Sequence, residues 1–126
     1  MKKIEIPLSD REVCSPGVPI YLISTINNEG IYNVAPFGFV MPASYDPPIY
    51  IVGSVKDRDT YHNILETKEF VLNIPSTSLL NKVNVTGIKF YPGIDEFKKA
   101  KLTPQSSFKV KPPLVKECKA IMSVYY

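Results

Sequence analysis

Between Val18 and Asn27 the chain is apolar on both sides of an extended backbone, with Ile20, Leu22 and Ile26 on one side and Tyr21 and Ile23 on the other. A strand open to water on one face alternates apolar with polar residues, so this pattern demands cover on both faces, as in a barrel wall. Asn27-Asn28-Glu29-Gly30 follows, and Asn and Gly tolerate the positive φ of a tight reversal. The spacing therefore predicts a hairpin whose returning strand runs from Tyr32 to Met41. A third strand is expected from Ile49 to Val55, entered through Asp46-Pro47-Pro48, a segment that no helix can cross.

After Val55 the period changes. Tyr61, Ile64, Leu65 and Lys68 fall at helical spacing, with Asp59 or Thr60 as N-cap. Strand alternation returns from Phe70 to Ile74, placing Phe70, Leu72 and Ile74 on one face. Ser76-Thr77-Ser78 can cap a second short helix that carries Leu79, Leu80 and Val83 and ends at Gly87. Asp95 to Lys101 reads as a third helical turn. Phe108 to Val110 and Val115 to Tyr126 read as strands around the Pro112-Pro113 break. Strands outnumber helices, and the expected class is mainly β: a small barrel with short helical insertions, forming one domain over residues 1–126.

Bulk properties exclude more than they assign. The chain has 126 residues, enough to bury a core without disulfides or a structural metal. Twelve prolines against six glycines favour defined reversals over flexible linkers. One histidine, His62, and two distant cysteines, Cys14 and Cys118, leave no Cys/His metal site. His62 reads as a surface residue and the cysteines as buried or incidental rather than redox-active thiols. No apolar run approaches the ~18 residues of a membrane span, and Met1-Lys2-Lys3 leads into no apolar leader core. A reduced, cytoplasmic protein is expected. The net charge of +3 suits a small phosphorylated anion. Basic and aromatic residues form no interleaved stripe, so a nucleic-acid partner is not expected, and the Lys98-Lys99-Ala100-Lys101 cluster reads as a solvated helix face.

Two segments carry the candidate chemistry. Ser54-Val55-Lys56-Asp57-Arg58-Asp59-Thr60 leaves a strand and opens a helix. Lys56 and Arg58 supply charge, Ser54 and Thr60 hydroxyls, and the helix start supplies free N–H groups, all suited to an anion. The same residues also fit a solvated charged turn with Asp59 and Thr60 as caps. Asn33-Val34-Ala35-Pro36-Phe37-Gly38 offers one amide and small residues that admit a flat ring to the backbone. Pro36, lacking an N–H, is expected to disturb the ladder there. A bent edge strand is the alternative.

Taken in order, Asn33-Val34-Ala35-Pro36, Asp46-Pro47-Pro48, Thr60-Tyr61-His62-Asn63-Ile64, Glu69-Phe70-Val71-Leu72-Asn73 and Pro112-Pro113-Leu114-Val115 resemble the flavin reductase-like family of FMN-binding split β-barrels. That resemblance spans Val18 to Cys118. It implies a split barrel that binds FMN, with Asn33, Ala35, Pro36 and Phe37 against the ring and ribityl chain. It places the phosphate near Ser54, Lys56, Arg58 and Thr60. It further implies a homodimer, NAD(P)H as hydride donor and a flavin or other electron acceptor, with the flavin rather than a side chain doing the chemistry. No catalytic acid or base is nominated.

Members of the family usually continue for several tens of residues, commonly through a Gly-Asp-His segment that this sequence does not contain. A truncated product, a compact variant and a barrel completed by a second subunit are the alternatives. Cys118, Ala120, Met122, Val124 and Tyr126 share one apolar face, and a second subunit is the expected cover. The competing function is a split-barrel binding or interaction protein without catalysis.

Overall fold

The computed structural model describes Pro7, Ser9 and residues 17–126; Cys14 and the N-terminal segment expected to lack a leader lie outside the described residues. The two-sided apolar run forms β1 (Tyr21–Ile26), and β2 (Tyr32–Phe37) returns antiparallel, in register from Tyr21↔Phe37 to Ile26↔Tyr32. The turn between them closes as its chemistry dictates. Asn27 Oδ1 accepts from the N–H groups of Glu29 (3.0 Å) and Ile31 (2.8 Å), and Gly30 takes a φ of +83°.

The returning strand does not run on to Met41. It breaks at Gly38-Phe39, and β3 (Val40–Tyr45) pairs instead with β4 (Pro48–Val52) in a separate hairpin. The break falls where side chains have no room: a Cβ on Gly38 would stand 3.2 Å from Val18, and one on Gly53 would stand 3.1 Å from Phe39. The fourth strand accordingly stops at Val52 rather than Val55.

Among the described residues the main sheet has the order β2-β1-β5-β8, with β5 (Glu69–Ile74) and β8 (Ala120–Tyr125) antiparallel across six residue pairs. Its two faces bury different partners, which explains the pattern of β1. Ile23, Phe70 and Leu72 pack against Val40, Tyr50 and Val52 of the β3–β4 hairpin. Leu22 and Val34 pack on the other side against Leu79, Val83, Phe97, Ala100, Leu102 and Val115. No ladder joins the hairpin to the main sheet in the described structure, so the barrel is split rather than closed.

Three short helices complete the described structure: α1 (Asp59–Thr67), α2 (Leu80–Thr86) and α3 (Glu96–Ala100). Arg58, extended, is the N-cap residue of α1 in place of Asp59 or Thr60. A 3₁₀ turn, Thr77–Leu79, leads into α2, and the serines before it bond each other (Ser76 Oγ to Ser78 Oγ, 2.8 Å) rather than capping. Gly87 ends α2. Asp95 does cap α3, accepting from Lys98 N at 3.3 Å. That helix ends on Lys101 at a φ of 53°, a left-handed conformation that costs a side-chain-bearing residue about 1 kcal/mol. Lys101→Gly is therefore expected to raise unfolding stability by about 0.5–1 kcal/mol in urea titrations, the bond from Lys82 Nζ to the backbone Lys101 O being retained; no gain would mean that the left-handed conformation carries no strain there.

The expected strand at Phe108–Val110 does not form. Val110 is instead buried with Val71 and Leu114, and a two-residue ladder joins β6 (Pro104–Gln105) to β7 (Leu114–Val115). The last strand begins at Ala120, not Val115. Its apolar face is partly covered by the chain itself, since Met122 and Val124 pack on the Ile23 cluster; Cys118, which precedes the strand, packs instead on the Leu22 cluster and does not share that face. That corrects the expectation that only a partner surface could bury it. Among the described residues no helix is long and apolar enough to cross a membrane.

Candidate functional site

β2 is an edge strand, and its free side faces α2, α3 and the start of α1. Pro36 sits there in unbroken register with Leu22, so its missing N–H disturbs no ladder. Two clefts adjoin along this edge and share Ala35, Arg58 and Thr86. The larger, about 310 Å³, is walled by Ala35, Pro36, Phe37, Phe39 and Val55, with Ser54 at its rim. The smaller, about 90 Å³, carries the polar groups of Asn33, Asp57, Arg58, Thr60, Lys89 and Glu96 beside the apolar Ile88, Phe90 and Pro92.

Seven of the eight residues singled out in the sequence thus meet at one place: Asn33, Ala35, Pro36, Phe37, Ser54, Arg58 and Thr60. The eighth, Lys56, is exposed in the turn before α1 and lines neither cleft. Gly38 also lines the larger cleft, while Val18 and Ile20 stand 3.2 and 3.5 Å from its notional Cβ and occupy the side-chain direction.

The polar cleft is built on a buried hydrogen-bond network. The Asn33 amide lies 2.9 Å from Thr60 Oγ1 and 3.2 Å from Thr25 Oγ1. With its oxygen toward these hydroxyls, its nitrogen donates to both carboxyl oxygens of Glu96, at 3.1 and 3.2 Å. Asn63 Nδ2 donates to Thr25 Oγ1 at 3.0 Å. These side chains fasten α1 and α3 to β1 and β2. The Asn33 side chain is therefore consumed within the fold, and Thr60 spends its hydroxyl proton on Asn33. The N–H groups of Asp59 and Thr60 precede the first helical bonds, which run from Tyr61 and His62 to Arg58 O.

Charge in this cleft is balanced by geometry. Lys89 Nζ bonds Asp57 Oδ2 at 3.0 Å, and that bond holds the Asp57 carboxyl below the usual carboxylate range. Burial pushes Glu96 up to about 7, helped by the nearby charges of Asp59 and Asp95 and opposed by hydrogen bonds from its own N–H and that of Val34. Arg58 is left facing a cleft whose acids are partly neutralised. Lys89, Thr86 and Glu96 were not legible as site residues. Thr86 ends α2 and Lys89 follows it, where the sequence shows only a Gly87 stop, while Glu96 opens α3, where the sequence shows only a helical turn; Gly87 itself approaches Pro36 within 3.3 Å of a notional Cβ.

His62 is exposed. Cys118 is a free thiol pushed up to about 11 by burial and then by Glu117, which makes it a poor nucleophile. Among the described residues no group of three His, Cys, Asp or Glu side chains can hold a metal ion.

An open split barrel with paired apolar and polar clefts at the edge of β2 defines a class, and the sequence agrees with it: residues 16–124 match the flavin reductase like domain, and the chain belongs to that family. It is 44% identical over 107 residues to an uncharacterized protein of Aquifex aeolicus, a match covering 80% of this chain and 54% of that protein. Nitrilotriacetate monooxygenase component B from Bacillus cereus has a similar structure, with a TM-score of 0.83 at 28% identity over 98% of this chain and 66% of the other. Flavoredoxin of Desulfovibrio vulgaris (Miyazaki F) shares the fold, with a TM-score of 0.83 at 24% identity over 88% of this chain and 61% of that one. The chain spans about half the length of the curated relatives it matches.

Proposed function

We propose that the adjoining clefts hold FMN and that the protein passes hydride from NAD(P)H, through that flavin, to a flavin or other electron acceptor. What carries this is the adjacency of an apolar slot to an anion site: Pro36, Phe37, Phe39 and Val55 wall the first, while Arg58, Lys89 and the start of α1 supply cations and free N–H groups to the second. The residues present fit a flat ring attached to a phosphate. The slot's volume stands at the small end of the ~300–1,000 Å³ usual for ligand pockets. When bound, FMN would supply the hydride-accepting chemistry, and the chain's residues would position it.

Phe39, 80% exposed at the rim of the slot, and Val55 leave apolar surface beside it, continuous with the Met41–Ile51 cross-strand pair of the hairpin. A homodimer in which the second subunit covers this surface belongs to the proposal.

The first test is a titration with FMN followed by flavin fluorescence. Micromolar or tighter binding is expected, equivalent to about −8.2 kcal/mol. Arg58→Ala is expected to weaken it roughly 10- to 100-fold, the value of one charge-assisted bond, and Lys56→Ala by little, because Lys56 lines neither cleft. Loss of nicotinamide absorbance on mixing with the flavin-loaded protein would establish hydride transfer. Failure of the wild-type chain to bind any flavin would refute the proposal. Tight flavin binding without hydride transfer would favour the non-catalytic alternative.

A further inference from the structure

The polar cleft contains a group that a phosphate site does not need. Glu96, 7% exposed, presents a carboxyl to the same cavity as Arg58 and Lys89. It is not a stray surface acid. Both its oxygens meet the Asn33 amide, and Asn33 in turn holds Thr60 in the first turn of α1. The carboxyl is thus connected through two hydrogen bonds to the backbone that would receive the anion.

The charges facing it come from every neighbouring element. Asp59 on α1 and Asp95 beside it on α3 are negative, whereas Arg58 and Lys89 are positive, with Lys89 already paired to Asp57. His62, also on α1, lines an adjoining cavity of about 120 Å³ that shares Asn33, Asp59 and Pro92 with this cleft but does not include Glu96. A further anion placed in this cavity would meet a buried carboxylate screened by little water. Two like charges at close range in such a setting are relieved when one takes up a proton.

We propose that a phosphate monoester entering this cleft binds together with a proton on Glu96, so that ligand affinity at the site is set by pH. This rests on the FMN reading above. Burial already brings the carboxyl to about 7 without ligand, so at mildly acidic pH the proton is in place beforehand, and at mildly alkaline pH it must be acquired on binding. One linked proton makes affinity fall by about tenfold per pH unit above that point. The phosphate itself does not confuse the result there, because its second ionisation, near ~6, is complete.

Calorimetric titration at mildly alkaline pH, in buffers of different ionisation enthalpy, counts the protons directly. FMN should bind the wild-type protein with uptake approaching one proton. Riboflavin, which has the same ring and no phosphate, should bind with uptake near zero. Glu96→Gln should bind FMN with no uptake and with a flat pH profile, while His62→Gln should retain both uptake and slope. The wild-type arm needs no variant: the Glu96 carboxyl carbon resonance should titrate at higher pH with FMN than without it. FMN binding with no proton uptake, an unmoved Glu96 titration, or uptake that survives in Glu96→Gln or vanishes in His62→Gln would each overturn the linkage and leave the FMN site standing. Absence of FMN binding at every pH would overturn both.

Discussion

Asn73→Ala is expected to lower the unfolding free energy by about 3 kcal/mol, a large part of the stability of a domain this size. Asn73 is fully buried and stands at the junction of three strands. Its Nδ2 donates to Leu22 O and to Ser24 Oγ on β1, both at 3.0 Å, and its Oδ1 accepts from Val115 N of β7 at 2.8 Å. Truncation leaves the Val115 N–H without an acceptor and opens a small cavity beside Leu22. Each buried group left unpaired costs about 1–3 kcal/mol. Urea denaturation followed by circular dichroism gives the number directly. A loss under about 1 kcal/mol would show that water enters and replaces the amide, contrary to the sealed packing of Leu22, Leu72 and Val115 around it.

The second large effect is on pH dependence. The folded-state Glu96 carboxyl titrates at about 7 against an ordinary value of 4.5, so between those limits the folded state holds a proton that the unfolded state has released. Unfolding free energy must then fall as pH rises through this window, by at most about 3–4 kcal/mol, because each pH unit crossed removes no more than roughly 1.4 kcal/mol. The stabilisation is complete below 4.5 and gone above about 7. Asp57 acts in the opposite sense and at lower pH, because the bond from Lys89 holds its carboxyl down. Glu96→Gln should abolish most of the slope inside that window. Ligand-free urea titrations across it decide the matter, and a wild-type profile already flat there would mean that Glu96 stays ionised in the folded protein. This readout requires no flavin and is independent of the proposed function.

Much of the fold was legible because it follows from local rules. The two-sided apolarity of β1 foretold cover on both faces, and the Asn27–Gly30 turn foretold its hairpin. The Asp46-Pro47-Pro48 break and the helix after Val55 also fell where backbone sterics and period require. Errors gathered where distant contacts decide. The break between β2 and β3 falls where Val18 and Phe39 leave no room for a side chain on Gly38 and Gly53, and in place of a strand at Phe108 Val110 is buried against Val71.

The candidate site divides the same way. Local chemistry along the chain was enough to bring Ala35, Pro36, Arg58 and Thr60 to the edge of β2, because they sit in or at the ends of elements whose order and lengths are locally encoded. It was also enough for the family, since the ordered motifs from Asn33 to Val115 survive in one dimension. The role of each residue was settled in three dimensions. Asn33 and Thr60 read as ligands along the chain, whereas Asn63 and Asn73 stand only as motif positions; all four are buried struts whose partners lie 8, 27, 38, 42 and 51 positions apart in the chain. A polar side chain is a strut when its hydrogen bonds are met inside the protein and a ligand when they are not. That depends on distances across the fold, which no spacing along the sequence specifies. The same physics hid Lys89 and Glu96, ordinary charged residues until folding set one against Asp57 and enclosed the other behind Asn33.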